Sequence, residues 1–235
     1  MKYYLAPLFF LLCSYSIFSQ HIRLNKKEMA FLASQEKVNV VFTYDSLRYN
    51  ADNFTERQFM DYIKQKIEKK LNSEEASDWE RRHLAAKDSI YPKIFVASLN
   101  NRIKNYDYPV TFVLNDPSLK YTMKLQTNWM YFGYDAGIAE QPAKGNLIIT
   151  FFETAYPNTI LSEIEVRRAE GFDVVGNFSF PMDVPLGRSG IAPSNWLDKF
   201  LKANEDYPKP SLRRMGYMYD KAAQRFGMTL KRVLD

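Results

Sequence analysis

Strand and helix spacings of apolar residues follow one another along the first part of the chain. Residues 38–42 place valine and phenylalanine side chains on one face, which predicts a first strand. A helix is predicted next from Thr55, because Thr55 and Gln58 have capping-box spacing. Its apolar stripe continues at helical spacing to about Leu71.

Two more helices are predicted between residues 72 and 104. Asn72 and Glu75 offer a cap ahead of a polar helix around Trp79, on which His83 is expected to be solvated. A third helix opens at about Pro92. Its stripe of apolar residues consists of Phe95, Leu99 and Ile103.

The middle of the chain changes to strand spacing. Four segments have it: 110–114, 121–127, 146–152 and 159–166. The third of them is apolar on both faces, which predicts a central strand covered on both sides. In the fourth, Ile160, Ile164 and Val166 are expected to face the core, while Glu163 and Glu165 face outwards.

A closing helix is predicted from about Ser211. Its apolar residues repeat at intervals of three and four: Leu212, Met215, Tyr219, Ala222, Phe226 and Leu230. The order of a strand, three helices, a run of strands and a last helix predicts an α+β, or mixed α/β, fold. We expect a single mixed, largely antiparallel sheet of about five strands, with helices packed on it and a long C-terminal helix.

Residues 1–19 have the pattern of an export signal. Lys2 precedes a short apolar run, and Ile17-Phe18-Ser19 places a small residue directly ahead of Gln20, which predicts a signal peptide cleaved after Ser19. A retained membrane anchor is the alternative, but Ser14 and Ser16 interrupt a run already short of the roughly 20 apolar residues that a spanning helix needs. The mature protein is therefore expected to be periplasmic or secreted, with no stable membrane span.

Composition narrows the chemistry of residues 20–235, which we expect to form one domain. The one cysteine, Cys13, lies in the signal and follows two leucines rather than a small residue, so neither a lipid anchor nor a disulfide is expected. Histidine is scarce as well, so no metal or cofactor is expected. The net charge of +5 comes from scattered basic pairs with acidic neighbours, which argues against a nucleic-acid partner.

Two segments are candidates for ligand binding. The first is an irregular, proline-rich insertion at 179–210, where Arg188 and Ser189 lie between two glycines and could cradle an anion; a plain turn is the alternative. The second is an aromatic cluster comprising Trp129, Tyr131 and Tyr134, which would form a patch for a peptide or glycan if exposed. Burial in the core is the alternative for this cluster.

Carboxylates offer the one enzymatic alternative. Glu153 and Glu163 could face each other across a hairpin, as the paired acids of a hydrolase do. Glu163 and Glu165 share a strand face and could hold a hard cation, but a paired, solvated sheet surface is the favoured interpretation, since Arg167 is close by in the sequence. A Ser-His-Asp triad is disfavoured, because Gly187-Arg188-Ser189-Gly190 is not a nucleophile elbow. No catalytic residue is therefore assigned.

Several stretches resemble a family of exported, functionally uncharacterised proteins of Bacteroidetes. The stretches are 53–67, 88–103, 121–137, 145–166 and 219–234. The order of elements is also similar to small α/β envelope domains, namely the amino-terminal domain of TolB and the curli-secretion lipoprotein. The resemblance implies a cell-envelope role without a catalytic motif. We therefore expect a non-enzymatic binding module for an envelope protein or a small ligand, with a carboxylate-dependent hydrolase as the alternative.

Overall fold

The computed structural model describes residues 22–135, 140–171 and 208–235. The predicted signal peptide and residues 179–207 of the predicted insertion lie outside these ranges. The elements in chain order are α1 (Lys26–Met29), a 3-10 turn (Ala30–Ser34), β1 (Lys37–Thr43), β2 (Arg48–Tyr49), α2 (Glu56–Lys70), α3 (Ser73–Ala85), a π turn (Ala86–Ile90), α4 (Tyr91–Ile103), β3 (Thr111–Leu114), β4 (Tyr121–Tyr131), β5 (Tyr134–Asp135), β6 (Glu140–Gln141), β7 (Ala143–Glu153), β8 (Ile160–Gly171) and α5 (Leu212–Leu234).

Six of the strands form one mixed sheet in the order β3-β1-β4-β7-β8, with β2 alongside β4. The strand β1 is parallel to both neighbours, whereas β4, β7 and β8 form an antiparallel meander. The short β2 runs parallel to the last part of β4, beyond the end of β1. The predicted mixed α/β class is confirmed, with one more strand than the five or so expected.

The predicted helix caps are present. Thr55 and Gln58 form a reciprocal capping box at the start of α2, and Asn72 accepts a hydrogen bond from the backbone N–H of Glu75 at the start of α3. Ser211 caps α5, whose predicted apolar stripe is buried throughout. These starts are local, because each cap lies within three residues of the backbone group that it satisfies.

The core lies between one face of the sheet and the helices. Phe42 of β1 packs edge-on against Phe95 of α4, and Phe151 of β7 contacts Phe226 of α5. At Gly171 a Cβ would lie 2.3 Å from the backbone nitrogen of Met218. The backbone of α5 therefore rests directly on the end of β8.

The opposite face of the sheet is more exposed than the sequence predicts. Lys124, Gln126 and Ile148 point to that face and remain half-buried, and the described helices pack on the inner face. The expectation that β7 is covered on both sides is confirmed at its end, where Thr150 and Phe152 are buried on that face, but not at Asn146 and Ile148, which are half-buried. Ile160 is also 56% exposed rather than buried, because an irregularity in the pairing of β7 with β8 shifts the alternation there, whereas Ile164 is buried as predicted.

Candidate functional site

The open face of the sheet carries a polar cleft of about 350 Å³. Six residues from loops and strands line it: Arg48, Asn53, Asn128, Trp129, Asn146 and Arg168. Two are cationic, three carry amides, one is aromatic, and none is a carboxylate. The cleft can thus offer hydrogen bonds, positive charge and an aromatic surface to one ligand.

Strand register explains how these distant residues meet. Arg48 of β2 pairs with Trp129 of β4, and Trp129 pairs with Asn146 of β7. Paired residues on neighbouring strands point to the same face, so the three side chains form a row across the sheet. Arg168 of β8 continues the row, because its backbone N–H donates to Oδ1 of Asn146 at 2.9 Å.

A β-bulge in β4 turns Trp129 onto the open face. The inward residues Leu125 and Thr127 would be followed by Trp129 if the strand were regular. The register shifts between Thr127 and Trp129, so Asn128 and Trp129 are both half-buried and Met130 takes the core position. The indole N–H donates to the carbonyl of Asn50 at 2.9 Å, which orients the ring.

A second irregularity, in the pairing of β7 with β8, places Arg168. Val166 and Ala169 are both buried, while Arg167 and Arg168 between them are both exposed. Arg168 adopts a left-handed backbone conformation with φ of 45°. Bulges of this kind re-aim a side chain at the point where strand pairing is interrupted.

The cleft arginines Arg48 and Arg168 differ from the neighbouring Arg167 in their ion-pair partners. Arg167 forms an ion pair with Glu165 at 2.7 Å. Within the described part of the chain, Arg48 and Arg168 have no carboxylate within ion-pair distance. The cleft therefore presents positive charge that none of the described carboxylates neutralises in an ion pair.

The predicted aromatic cluster is divided by the fold. Trp129 lines the cleft, and the ring of Tyr131 lies nearly parallel to it, with centroids 6.1 Å apart. The Tyr131 hydroxyl donates to Oε1 of Gln141, and burial followed by the neighbouring Tyr134 raises the pKa of that hydroxyl. Tyr134 itself is 45% exposed on the small β5–β6 ribbon, outside the cleft lining.

The remaining predicted candidates are the loop residues Arg188 and Ser189 and the glutamates Glu153 and Glu163. Arg188 and Ser189 lie outside the described residues. Glu163 pairs with Thr150 and Glu153 pairs with Tyr121, so the two glutamates do not face each other across the hairpin as expected. Among the described residues no group of three or more potential ligands is placed to hold a metal ion. None of the described helices has the length and apolar character needed to cross a membrane.

The expectation of a solvated His83 is wrong, because its side chain is completely buried. Its ring stacks on Trp79 with centroids 5.3 Å apart, and its Nε2 lies 3.2 Å from the hydroxyl of Tyr49. The Tyr49 hydroxyl also lies 3.3 Å from Oε1 of Glu56, to which it donates. The remaining nitrogen, Nδ1, is buried without a hydrogen-bond partner. This group stabilises the attachment of β2 to the helices rather than lining the cleft.

Sequence reasoning missed five of the six cleft residues. Two consecutive arginines, Arg167 and Arg168, interrupt an otherwise alternating strand, and that interruption is a usable signal of a bulge. Asn128 before Trp129 is a similar but weaker signal. Arg48 gives none, because its strand is two residues long and exists only through its pairing with β4.

Comparisons of the chain with protein-family models, with curated proteins and with solved structures each found no match. The geometry of the cleft is therefore the basis for inferring a function.

Proposed function

We propose that this protein is a non-enzymatic binding module, exported to the periplasm or secreted, whose ligand occupies the cleft around Trp129. The observation that carries the proposal is the row from Arg48 through Trp129 and Asn146 to Arg168. Four strands contribute to it, and two irregularities in strand pairing aim side chains into it.

The character of the lining supports binding rather than hydrolysis. None of the described residues that line the cleft is a carboxylate, and the pair Glu153 and Glu163 is separated by the strand register. Hydrolysis by paired acids needs both groups at one bond, at a separation of roughly 5 to 9.5 Å. The three cleft asparagines suit a ligand rich in hydroxyl or carbonyl groups, since each amide both donates and accepts.

A ligand screen by thermal unfolding tests the proposal. A ligand that binds the folded protein alone raises the unfolding temperature, so oligosaccharides, short peptides and nucleotides are each added to the mature protein. At least one class is expected to stabilise the parent protein and to lose this effect in Trp129→Ala. Trp129→Phe, which keeps a ring but removes the hydrogen bond to Asn50, serves as a second variant if the alanine protein folds poorly.

The matched control is Tyr156→Ala. Tyr156 is an aromatic residue, 64% exposed, in the turn between β7 and β8 and outside the cleft lining. Its loss should leave the ligand effect unchanged. Equal stabilisation of the parent protein and Trp129→Ala, or no stabilising ligand at all, would contradict the proposal, and release of hydrolysis products would favour the carboxylate enzyme.

A further inference from the structure

The two cleft arginines lie at opposite ends of the row. Neighbouring strands are about 4.8 Å apart, so three strand spacings separate the backbone of Arg48 from that of Arg168 by about 14 Å. Both side chains are exposed, and neither has a carboxylate partner among the described residues. The row is thus an elongated site with a positive charge at each end.

The backbone conformation of Arg168 also bears on the function of the cleft. A left-handed backbone is strained for an ordinary residue such as arginine, whereas asparagine or glycine adopts it with less strain. Residues held in such conformations occur disproportionately at binding and active sites. Here the strained residue places its guanidinium at the cleft, and the Asn146 side chain holds its N–H.

The centre of the row has a different chemistry. The Trp129 N–H is already bonded to the Asn50 carbonyl, so this residue offers a ligand its ring surface rather than a donor. Asn53, Asn128 and Asn146 surround the ring with amides. An aromatic ring flanked by amides matches a sugar ring, which presents C–H groups on one face and hydroxyls at its edge.

We infer that the cleft binds an acidic oligosaccharide, with a sugar ring on Trp129 and anionic groups paired with Arg48 and Arg168. The inference rests on the proposed function, because it names the ligand class of the same cleft. Guanidinium groups form charge-assisted hydrogen bonds with carboxylate and with sulfate, so both kinds of acidic saccharide are candidates. The length of the row favours an oligosaccharide over a single small anion.

Calorimetric titration of the mature protein with matched probes tests the inference. The probes are an oligogalacturonate, its methyl ester, a sulfated heparin oligosaccharide and a poly-glutamate peptide. The methyl ester keeps the rings of the oligogalacturonate but removes its charge. We expect at least one acidic saccharide to bind, and its uncharged or peptide counterpart to bind at least about tenfold more weakly, as loss of charge-assisted bonds implies.

Three variants locate the effect. Arg48→Gln and Arg168→Gln should each weaken binding of the acidic saccharide by about tenfold, because each removes one charge-assisted contact. Arg167→Gln is the matched control: it removes the same charge from the same strand, but Arg167 is paired with Glu165 and lies outside the cleft lining. Its affinity should equal that of the parent protein, and higher salt should weaken binding by the parent more than by Arg168→Gln.

The outcomes separate this inference from the proposed function. Equal affinity for the charged and methylated saccharides, abolished by Trp129→Ala, overturns the inference while the cleft remains a binding site. Equal losses in Arg167→Gln and Arg168→Gln overturn it in favour of non-specific attraction. Equal binding of poly-glutamate makes the ligand an acidic peptide and also overturns it, as does the absence of binding to either acidic saccharide. Acidic-saccharide binding that survives Trp129→Ala contradicts the proposed function itself.

Discussion

Arg168 holds a left-handed backbone conformation that asparagine adopts at lower cost. His83 is a second residue in a demanding position, since it is buried with one ring nitrogen unpartnered. The two residues differ in their role. Arg168 brings a charge to an open cleft, whereas His83 packs between Trp79 and Tyr49 and is kept neutral.

Replacing Arg168 should separate stability from binding. Arg168→Asn is expected to raise the free energy of unfolding by roughly 0.5–1 kcal/mol, because asparagine tolerates the left-handed conformation. Urea unfolding measures the change. The control Arg167→Asn, at a neighbouring position without a positive φ, should bring no such gain. A lower stability of Arg168→Asn would show that the guanidinium supports the fold.

His83 should make stability depend on pH. Burial, and then the charge of Lys87, lower its pKa to about 3 in the folded protein, from about 6.5 in an unfolded chain. The unfolded state therefore binds more protons between these values, so the contribution is complete above about pH 6.5 and is lost as pH falls towards 3. The expected slope is about 1.4 kcal/mol per pH unit.

Urea midpoints of the parent protein and His83→Phe between pH 7 and pH 5 isolate this contribution. Phenylalanine keeps a ring against Trp79 but cannot be protonated, and the carboxylates titrate in both proteins. The free energy of unfolding of the parent protein, minus that of the variant, should decrease as the pH falls. A difference that stays constant over this range would mean that His83 does not titrate between the two states.

At the scale of elements, helices and strands are specified in different ways. The starts of α2, α3 and α5 each depend on a cap within three residues of its acceptor or donor. The strands depend on partners far along the chain, and their irregularities follow from that pairing. The predicted helices therefore needed little correction, while β4 and β8 departed from simple alternation.

The capping box of α2 predicts the effect of a substitution at Thr55. Thr55→Ala should lower the free energy of unfolding by about 1 kcal/mol, because it removes the hydrogen bond that Thr55 accepts from the Gln58 backbone. Binding at the cleft should be unchanged. Thr55→Ser retains a hydroxyl and should stay close to the parent protein in urea unfolding; equal midpoints for the alanine and parent proteins would contradict the role of the cap.

The close contact of α5 with β8 predicts the effect of a substitution at Gly171. Gly171→Ala should destabilise by about 1–3 kcal/mol, because the added Cβ would meet the backbone of α5 at 2.3 Å and neither backbone can easily move away. Gly216→Ala is the matched control, since its Cβ would meet only the end of the Ile94 side chain at 3.1 Å and alanine favours a helix. Thermal unfolding should show a clear loss for the first and little change for the second; similar losses would contradict the close approach at Gly171.

In the whole molecule, the described helices pack on the inner face of the sheet and leave part of the opposite face available. The cleft lies on that available face, where β2 follows β1 alongside β4. Placing the core on one side allows polar residues from four strands to converge on the other without entering the core.

Export from the cytoplasm is a prediction about the whole chain. Cells expressing the full chain should release a mature protein that begins at Gln20, because residues 1–19 have the pattern of a cleaved signal. Mass spectrometry of periplasmic and secreted fractions measures the start, and a chain expressed from residue 20 serves as the control that should stay in the cytoplasm. An intact Met1 or a lipid on Cys13 would contradict this expectation.

Local sequence patterns predict the four long helices α2 to α5, the longer strands and the mixed α/β class, but not the short α1. Capping residues and apolar stripes act over a few residues, so the pattern around Thr55 and the stripe of α5 already contained the information. The aromatic segment around Trp129 is also a candidate for ligand binding from the sequence alone. The expected roles of Arg188 and Ser189 and the signal peptide remain predictions from the sequence.

Only the tertiary structure decided which face each residue joins and which residues meet. Trp129 reaches the open face because a bulge shifts the period of β4 by one residue, and a shift of one reverses the face of every later side chain. Arg48 and Arg168 are separated by 120 positions in the sequence and join one cleft only through strand pairing. His83 is buried because α3 turns that face towards Tyr49. Such outcomes depend on partners remote in the chain, which local spacing does not encode.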